Sequence, residues 1–206
     1  MNVKICNKIL SINIYDAPSI ETWGVLNRTV DGYYLPFFDF DGVRLDVVRE
    51  AAHWLNINFK LGPMLIRKSS SFLTKEGVEI GSYHLIGFSK LTLPKFEHIL
   101  SRVWCDKGFK MGFRLEPERA WVLRVASKID LETKKIIKPF CTFADFCQFK
   151  TSKILNSGVF NFFQKLDKFK VRNKYKMDNL DELYLIRYWG KEKLKKKELI
   201  KLGNRA

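Results

Sequence analysis

The feature that most constrains the fold is a run from Tyr33 to Phe40, in which nearly every residue is aromatic or apolar and Asp39 is the one charged residue. Such a run predicts a strand in the middle of a sheet. Gly42 ends the run, and the apolar residues after it are spaced as on one face of a helix. We therefore expect a central strand followed by a helix over residues 45–55, whose apolar stripe is Leu45, Val48, Ala52 and Leu55.

Two acidic residues, Asp39 and Asp41, stand where this strand ends. In a strand, residues i and i+2 project to the same side, so the two carboxylates are expected to point together. Mg²⁺ prefers oxygen ligands of this kind, and a pair of divalent ions stabilises both the attacking and the leaving oxygen in phosphoryl chemistry. The alternative is that the two acids only decorate a turn.

A second polar feature follows in residues 81–88, where Ser82 and His84 alternate with apolar residues. If this segment is a strand, Ser82 and His84 share one face, and an imidazole there can donate to a phosphate oxygen. A satisfied, half-buried histidine is the other interpretation. Upstream, residues 63–68 predict another strand, whose Arg67 is a nearby cation, and residues 69–79 predict a loop.

A third feature comes after a predicted helix over residues 93–104. Residues 110–115 and 120–125 predict a hairpin whose turn is the Glu-Pro-Glu-Arg at positions 116–119, and its end carries Arg124, Ser127 and Lys128. Charge and hydroxyl donors in this mixture suit a triphosphate, although each alone is equally typical of a solvated strand end. From Thr142 onward the sequence is rich in Lys and Phe and predicts helix.

Composition narrows the class of partner. The 206 residues carry 37 Lys and Arg against 22 Asp and Glu, a net charge of +15, which favours nucleic acid first and an anionic membrane surface second. The longest apolar runs are far shorter than the ~20 residues that cross a bilayer, and the four cysteines form no C-x-x-C pair. We expect an intracellular, cytoplasmic protein with free thiols and no membrane association.

Taken in order, Asp39-Phe40-Asp41, Ser82-Tyr83-His84, Asp106 and the segment from Arg124 to Lys128 resemble the motifs of the archaeo-eukaryotic primases and primase-polymerases. The resemblance covers residues 33–128. It implies that Asp39, Asp41 and Asp106 are catalytic metal ligands for Mg²⁺ or Mn²⁺, with Glu116 and Asp130 as alternatives for the third acid. It also implies that Ser82, His84, Arg67, Arg124, Ser127 and Lys128 bind the nucleotide.

The pattern of strands and helices predicts an α+β fold, a mostly antiparallel sheet with flanking helices, which agrees with the RRM-like primase core that the resemblance implies. We expect a catalytic body over residues 1–138 and a basic, helical extension over 139–206. The expected activity is template-dependent nucleotidyl transfer, with a single-stranded DNA template and nucleoside triphosphates as partners. A separate helicase or replication protein is a further expected partner, and a prokaryotic virus or plasmid is the expected genetic setting.

Two other functions fit part of the pattern. The opening Asp39-x-Asp41-Gly42 also resembles haloacid-dehalogenase-like phosphatases, with Asp39 as nucleophile and Asp41 as general acid. The later acidic pair of that family is not evident in this sequence. A nucleic-acid-binding protein without catalysis is the third possibility, since sequence-independent phosphate contacts need only cations.

Overall fold

The computed structural model describes residues 2–5, 8–11, 20–29, 31–115, 120–124, 127–130, 133–138, 141–149, 160, 163, 183–189 and 198–202. These residues form an α+β fold with few helices, and the strand pairs among them are antiparallel. The predicted α+β class and its mostly antiparallel sheet are therefore confirmed. None of the helices in the described ranges is long and apolar enough to cross a membrane.

The strands are β1 (Asn2–Ile5), β2 (Lys8–Ser11), β3 (Ile20–Thr29), β4 (Phe37–Val43), β5 (Met64–Leu73), β6 (Glu79–Gly87), β7 (Val122–Arg124), β8 (Lys128–Asp130), β9 (Ile136–Lys138), β10 (Thr142–Cys147), β11 (Leu183–Trp189) and β12 (Glu198–Leu202). The helices are α1 (Leu45–Phe59), α2 (Leu93–Arg102) and α3 (Lys107–Leu115). Strands β1 and β2 pair with each other. The helices predicted over residues 45–55 and 93–104 are confirmed as α1 and α2.

A four-stranded sheet in the order β10-β5-β6-β4 carries the main core. Successive residues of a strand point to opposite faces, and one face packs beneath α1 and α2. We call this the helix face; its buried strand residues are Phe38, Phe40, Met64, Ile66, Tyr83 and Leu85. The opposite face, which carries Asp39 and His84, is called the site face.

The second sheet has the order β12-β11-β3-β8-β9, and β7 also pairs with β3. Fully buried Asn27 in β3 connects this sheet to the segments around Leu35 and Trp121. Its side chain donates to the Leu35 carbonyl (3.2 Å) and accepts from the Trp121 backbone N–H (2.9 Å). Because both polar atoms of the amide are hydrogen-bonded, the side chain is buried without an unsatisfied group.

The prediction that the apolar run forms a central strand is wrong, because β4 lies at the edge of the four-stranded sheet. The run is buried for a different reason. Phe38 and Phe40 pack under the helices, whereas Phe37 on the site face meets the ring of Phe163 edge-on, with centroids 5.7 Å apart. Both faces of an edge strand are thus covered by other parts of the chain, so an apolar sequence does not require two strand neighbours.

The predicted hairpin after α2 is also wrong. Its first strand is the helix α3, and β7 pairs with β3 instead. The carboxylate of Asp106 accepts the Phe109 backbone N–H (2.8 Å), which is the hydrogen bond of a helix N-cap. Trp121 then donates from Nε1 to the Phe109 carbonyl (2.9 Å), so the helix is held against the segment that follows it. The predicted turn, residues 116–119, lies outside the described residues.

Two further predictions differ from the structure. The loop expected over residues 69–79 is mostly strand, because β5 and β6 continue their ladder to the pair Leu73 and Glu79. The helix expected from Thr142 is instead the strand β10, which pairs with β5, and β11 and β12 are also strands. The four-stranded sheet therefore includes one strand that follows the predicted boundary at residue 138. Residues 191–197 of the lysine-rich segment lie outside the described ranges.

Candidate active site

Asp39, His84 and Arg67 form a row across three strands of the site face. Asp39 lies opposite His84, and His84 lies opposite Arg67. Directly opposed residues of an antiparallel ladder project to the same face. His84 Nε2 is 3.7 Å from Asp39 Oδ1, an ion pair when the imidazole is protonated. The Asp39 side chain keeps 27% of its surface exposed and that of His84 only 6%, so the carboxylate is the more accessible member of this pair.

Ser82 stands beside this row. It lies two residues before His84 in β6 and is half-buried, so it shares the site face. Its partner across the ladder is Ser70 of β5. Two hydroxyl groups therefore follow the charged row toward the far end of the β5–β6 hairpin.

Cys141 connects the row to the second sheet. Its Sγ is 3.8 Å from His84 Nδ1, and its thiol donates to the Arg124 carbonyl at 3.5 Å. Its own carbonyl accepts from Nη2 of Arg67, whose Nη1 donates to the Phe163 carbonyl at 2.7 Å. The Arg67 side chain is 1% exposed. Arg67 was predicted to bind nucleotide, and in this structure its guanidinium holds together the backbone that covers the site face.

Asp106 lies next to Asp39 along the backbone. Its N–H donates to the Asp39 carbonyl with an N···O distance of 2.7 Å, so the start of α3 is fastened to β4. One carboxylate oxygen of Asp106 accepts the N-cap hydrogen bond of α3. The structure thus brings the predicted third acid to the strand that bears the first, with part of its carboxylate already used by the helix.

Asp41 is exposed and follows a break in the ladder. The register is regular up to Phe40 and resumes at Val43, with Gly42 between them at a φ of +68°. Positive φ is the conformation that glycine adopts without strain. The alternation that predicted a common side for Asp39 and Asp41 does not carry across this bulge.

Within the part of the chain that the structure describes, no three His, Cys, Asp or Glu side chains are grouped as metal ligands. Mg²⁺ is commonly bound by one or two carboxylates together with water and substrate phosphates. The exposed carboxylate of Asp41 and the partly exposed one of Asp39 fit a metal of that kind. Asp106 fits it less well, because the helix cap competes for its oxygens.

The remaining predicted residues belong to the second sheet. Arg124 is in β7 and Lys128 is in β8, both half-buried, and half-buried Ser127 lies between the two strands. Asp130 accepts the Thr133 N–H at 2.9 Å, which places its carboxylate in the turn between β8 and β9. Glu116 lies outside the described residues. The carbonyl of Arg124, through Cys141, is the contact described above that links this group to His84.

No protein-family model, curated protein or solved structure matches the chain. The site is therefore argued from its own geometry. That geometry includes one residue that the sequence did not single out, Cys141, which was expected to be only a buried thiol. No spacing motif marks it, because it reaches His84 from 57 positions away through the pairing of β10 with β5.

The described cysteines Cys105, Cys141 and Cys147 are free, as expected. The pKa of Cys105 is raised to about 12, chiefly by burial and to a smaller extent by the carboxylates of Asp39 and Asp106, against the opposing effect of Lys110. Cys105 is thus a protonated thiol at neutral pH. It lies beside the two acids without acting as a thiolate ligand or nucleophile.

A separate groove of about 590 Å³ lies between α1 and β10. Arg49 of α1 and Asp145 of β10 form an ion pair there (2.5 Å), and the rings of His53 and Phe149 are 6.0 Å apart. The groove is lined by Arg49, Glu50, His53, Trp54, Ile57, Asp145, Phe146, Cys147, Gln148 and Phe149. These residues are different from those of the row.

Proposed function

We propose that the chain is a primase-type nucleotidyltransferase, an enzyme that joins nucleotides on a single-stranded DNA template. The observation that carries the proposal is the placement of Asp39 directly opposite His84 on one face of an antiparallel sheet, 3.7 Å apart, with Ser82 beside them. The order of the Asp-x-Asp and Ser-x-His motifs along the sequence supports the same function. The net charge of +15 suits the phosphates of both template and nucleotide.

Each residue of the row has a role in this proposal. Asp39 and Asp41 hold Mg²⁺ or Mn²⁺, which supplies positive charge against the phosphates when bound. His84, held between Asp39 and Cys141, and the hydroxyl of Ser82 orient the triphosphate. These groups accelerate the reaction by positioning and by electrostatic stabilisation.

Arg124, Ser127 and Lys128 extend the positive and hydroxyl-bearing surface from the second sheet. The Arg124 carbonyl accepts a hydrogen bond from the Cys141 thiol, which also contacts His84, so the backbone of β7 lies near the row. In the proposal they contact the outer phosphates of the nucleotide. Arg67 has a structural role, because its hydrogen bonds fix the backbone of Cys141 and Phe163.

The test is incorporation of labelled nucleotides on a single-stranded template with Mg²⁺ or Mn²⁺, with products resolved by length. We expect Asp39→Asn to lower the rate at least about 100-fold, the effect typical of removing one charge-stabilising group. Asp31→Asn is the matched control, because Asp31 is an exposed acid outside the row, whose carboxylate pairs with Lys90 (2.9 Å) and accepts from the Thr29 hydroxyl (2.5 Å). Circular dichroism and urea unfolding confirm that each variant is folded.

Template-dependent products from Asp39→Asn at the wild-type rate would remove the proposal. So would a folded wild-type protein that makes no product with either metal. Template binding in that second case would identify the non-catalytic nucleic-acid-binding alternative. Hydrolysis of a generic phosphomonoester that is lost in Asp39→Asn, with phosphate bound covalently to the wild type, would identify the phosphatase alternative.

A further inference from the structure

The hairpin formed by β5 and β6 carries exposed apolar side chains at its tip. Phe72 and Leu73 at the end of β5 are 63% and 70% exposed, and Val78 in the turn is 39% exposed. A large apolar side chain in water is common when it stands alone. Two adjacent ones at the end of a structured hairpin, in line with a candidate active site, call for a specific function.

Pairing across the hairpin shows which face each tip residue occupies. Phe72 lies opposite Ile80, and Ile80 is four residues before His84 in β6, so both are on the site face. Leu73 lies opposite Glu79 and therefore projects to the other side. The two neighbours are thus both largely exposed but lie on different faces of the sheet.

A continuous stripe joins Phe72 to the row on the site face. Ile80 and Phe72 come first, the paired hydroxyls of Ser70 and Ser82 come next, and His84 follows. Four residues of strand span about 13 Å. That length corresponds to roughly four stacked nucleotides at about 3.4 Å each.

Hydrogen bonds and an ion pair order the hairpin and fix the position of Phe72. In its turn the Thr74 backbone N–H donates to the Val78 carbonyl (2.9 Å), and the Thr74 hydroxyl accepts the Val78 N–H (3.2 Å). Gly77 takes a φ of +76°, which the tight turn requires. Lys68 and Glu79 form an ion pair across the two strands at 2.8 Å. An exposed ring on such a support binds without an entropic cost for ordering the backbone.

We propose that Phe72 is a stacking platform for a base of the bound single-stranded nucleic acid, about four nucleotides from the reacting end. The proposal rests on the proposed function for the position of that end. Base–aromatic stacking is independent of sequence, because every base presents a flat face. Ser70 and Ser82 contact the backbone between the platform and the row, and the net charge of +15 supplies the attraction to phosphates.

The experiment measures binding of a labelled twelve-nucleotide oligothymidylate by fluorescence anisotropy at fixed salt. We expect Phe72→Ala to weaken binding about 5- to 100-fold, the range for loss of one stacked base. Leu73→Ala is the matched control and should bind as the wild type does, because its side chain lies on the other face. Phe72→Trp should restore the affinity. An abasic strand of the same length should bind the wild type and Phe72→Ala equally.

Equal weakening by Phe72→Ala and Leu73→Ala, or no weakening by Phe72→Ala, would overturn the platform. A loss that also appears with the abasic strand would overturn it as well, because that loss would come from phosphate contacts. Nucleotide incorporation is measured on the same samples. Absence of incorporation with the expected binding pattern would contradict the proposed function and leave the platform standing.

Discussion

Replacement of Arg67 tests whether its guanidinium stabilises the backbone that covers the site face. The guanidinium is 1% exposed and donates to the carbonyls of Cys141 and Phe163. A hydrogen bond from a charged group contributes about 1.5–3 kcal/mol, so two contribute about 3–6 kcal/mol. Arg67→Met has similar length and leaves both carbonyls without this donor. We expect the free energy of unfolding to fall by that amount, a large part of the ~5–15 kcal/mol of a typical domain.

Urea unfolding followed by tryptophan fluorescence measures this loss, since Trp121 is buried in the core beneath the helices. With a slope of about 2 kcal/mol per molar urea, the midpoint should fall by about 1.5–3 M. Arg67→Lys, which keeps one donor, should lie between the wild type and Arg67→Met.

Arg49→Ala is the matched control for the same assay. Arg49 pairs with Asp145 at the surface, where the two side chains are 52% and 31% exposed. An exposed pair of this kind contributes about 0.2–1 kcal/mol. A loss of less than 1 kcal/mol in Arg67→Met, or equal losses in both variants, would show that Arg67 does not hold the covering segment.

Two other predictions concern residues near Asp39. Asp106→Ala should lower the free energy of unfolding by about 0.5–2 kcal/mol through loss of the N-cap, whereas Asp106→Asn should keep the cap. Equal destabilisation of both would contradict the cap, and loss of incorporation in a stable Asp106→Asn would show that the carboxylate charge is needed. Burial raises the pKa of Cys105 from 9.0 to about 12, so the stability it contributes below pH 9 should decline by about 1.4 kcal/mol per pH unit above it. The difference in unfolding free energy between the wild type and Cys105→Ala should therefore shrink from pH 9 to pH 10.5, and a constant difference would contradict it.

The elements that could be predicted from the sequence are those whose signal is local. The apolar spacing of α1 and α2 follows the helical period. In α1 three residues of the predicted stripe, Val48, Ala52 and Leu55, are buried, and Leu45 is half-buried.

α3 was predicted as a strand, although its sequence is amphipathic at the helical period, with Phe109 and Phe113 four residues apart. Its formation depends on the N-cap of Asp106 and on the hydrogen bond from Trp121 to the Phe109 carbonyl. Trp121 lies beyond the helix, so no pattern within the helix reveals this second contact.

The site divides in the same way. The sequence identified Asp39, Ser82 and His84 as chemistry-bearing residues, because polar side chains interrupt two apolar strands. The antiparallel register of β4 and β6 determined that Asp39 meets His84, and no one-dimensional pattern contains that register. The same limit applies to Asp41. The direction of its side chain depends on the irregular backbone at Gly42, which the alternation of the sequence does not show.

By itself, the sequence determined the identity of the elements with regular periods, the positive charge and the order of the polar motifs. The tertiary structure alone decided that β4 is an edge strand, that Cys141 reaches His84, and that Phe72 shares a face with Asp39. The physical reason is range. Periodicity and caps act over a few residues, whereas strand order, register and face result from packing between segments that are far apart in the chain.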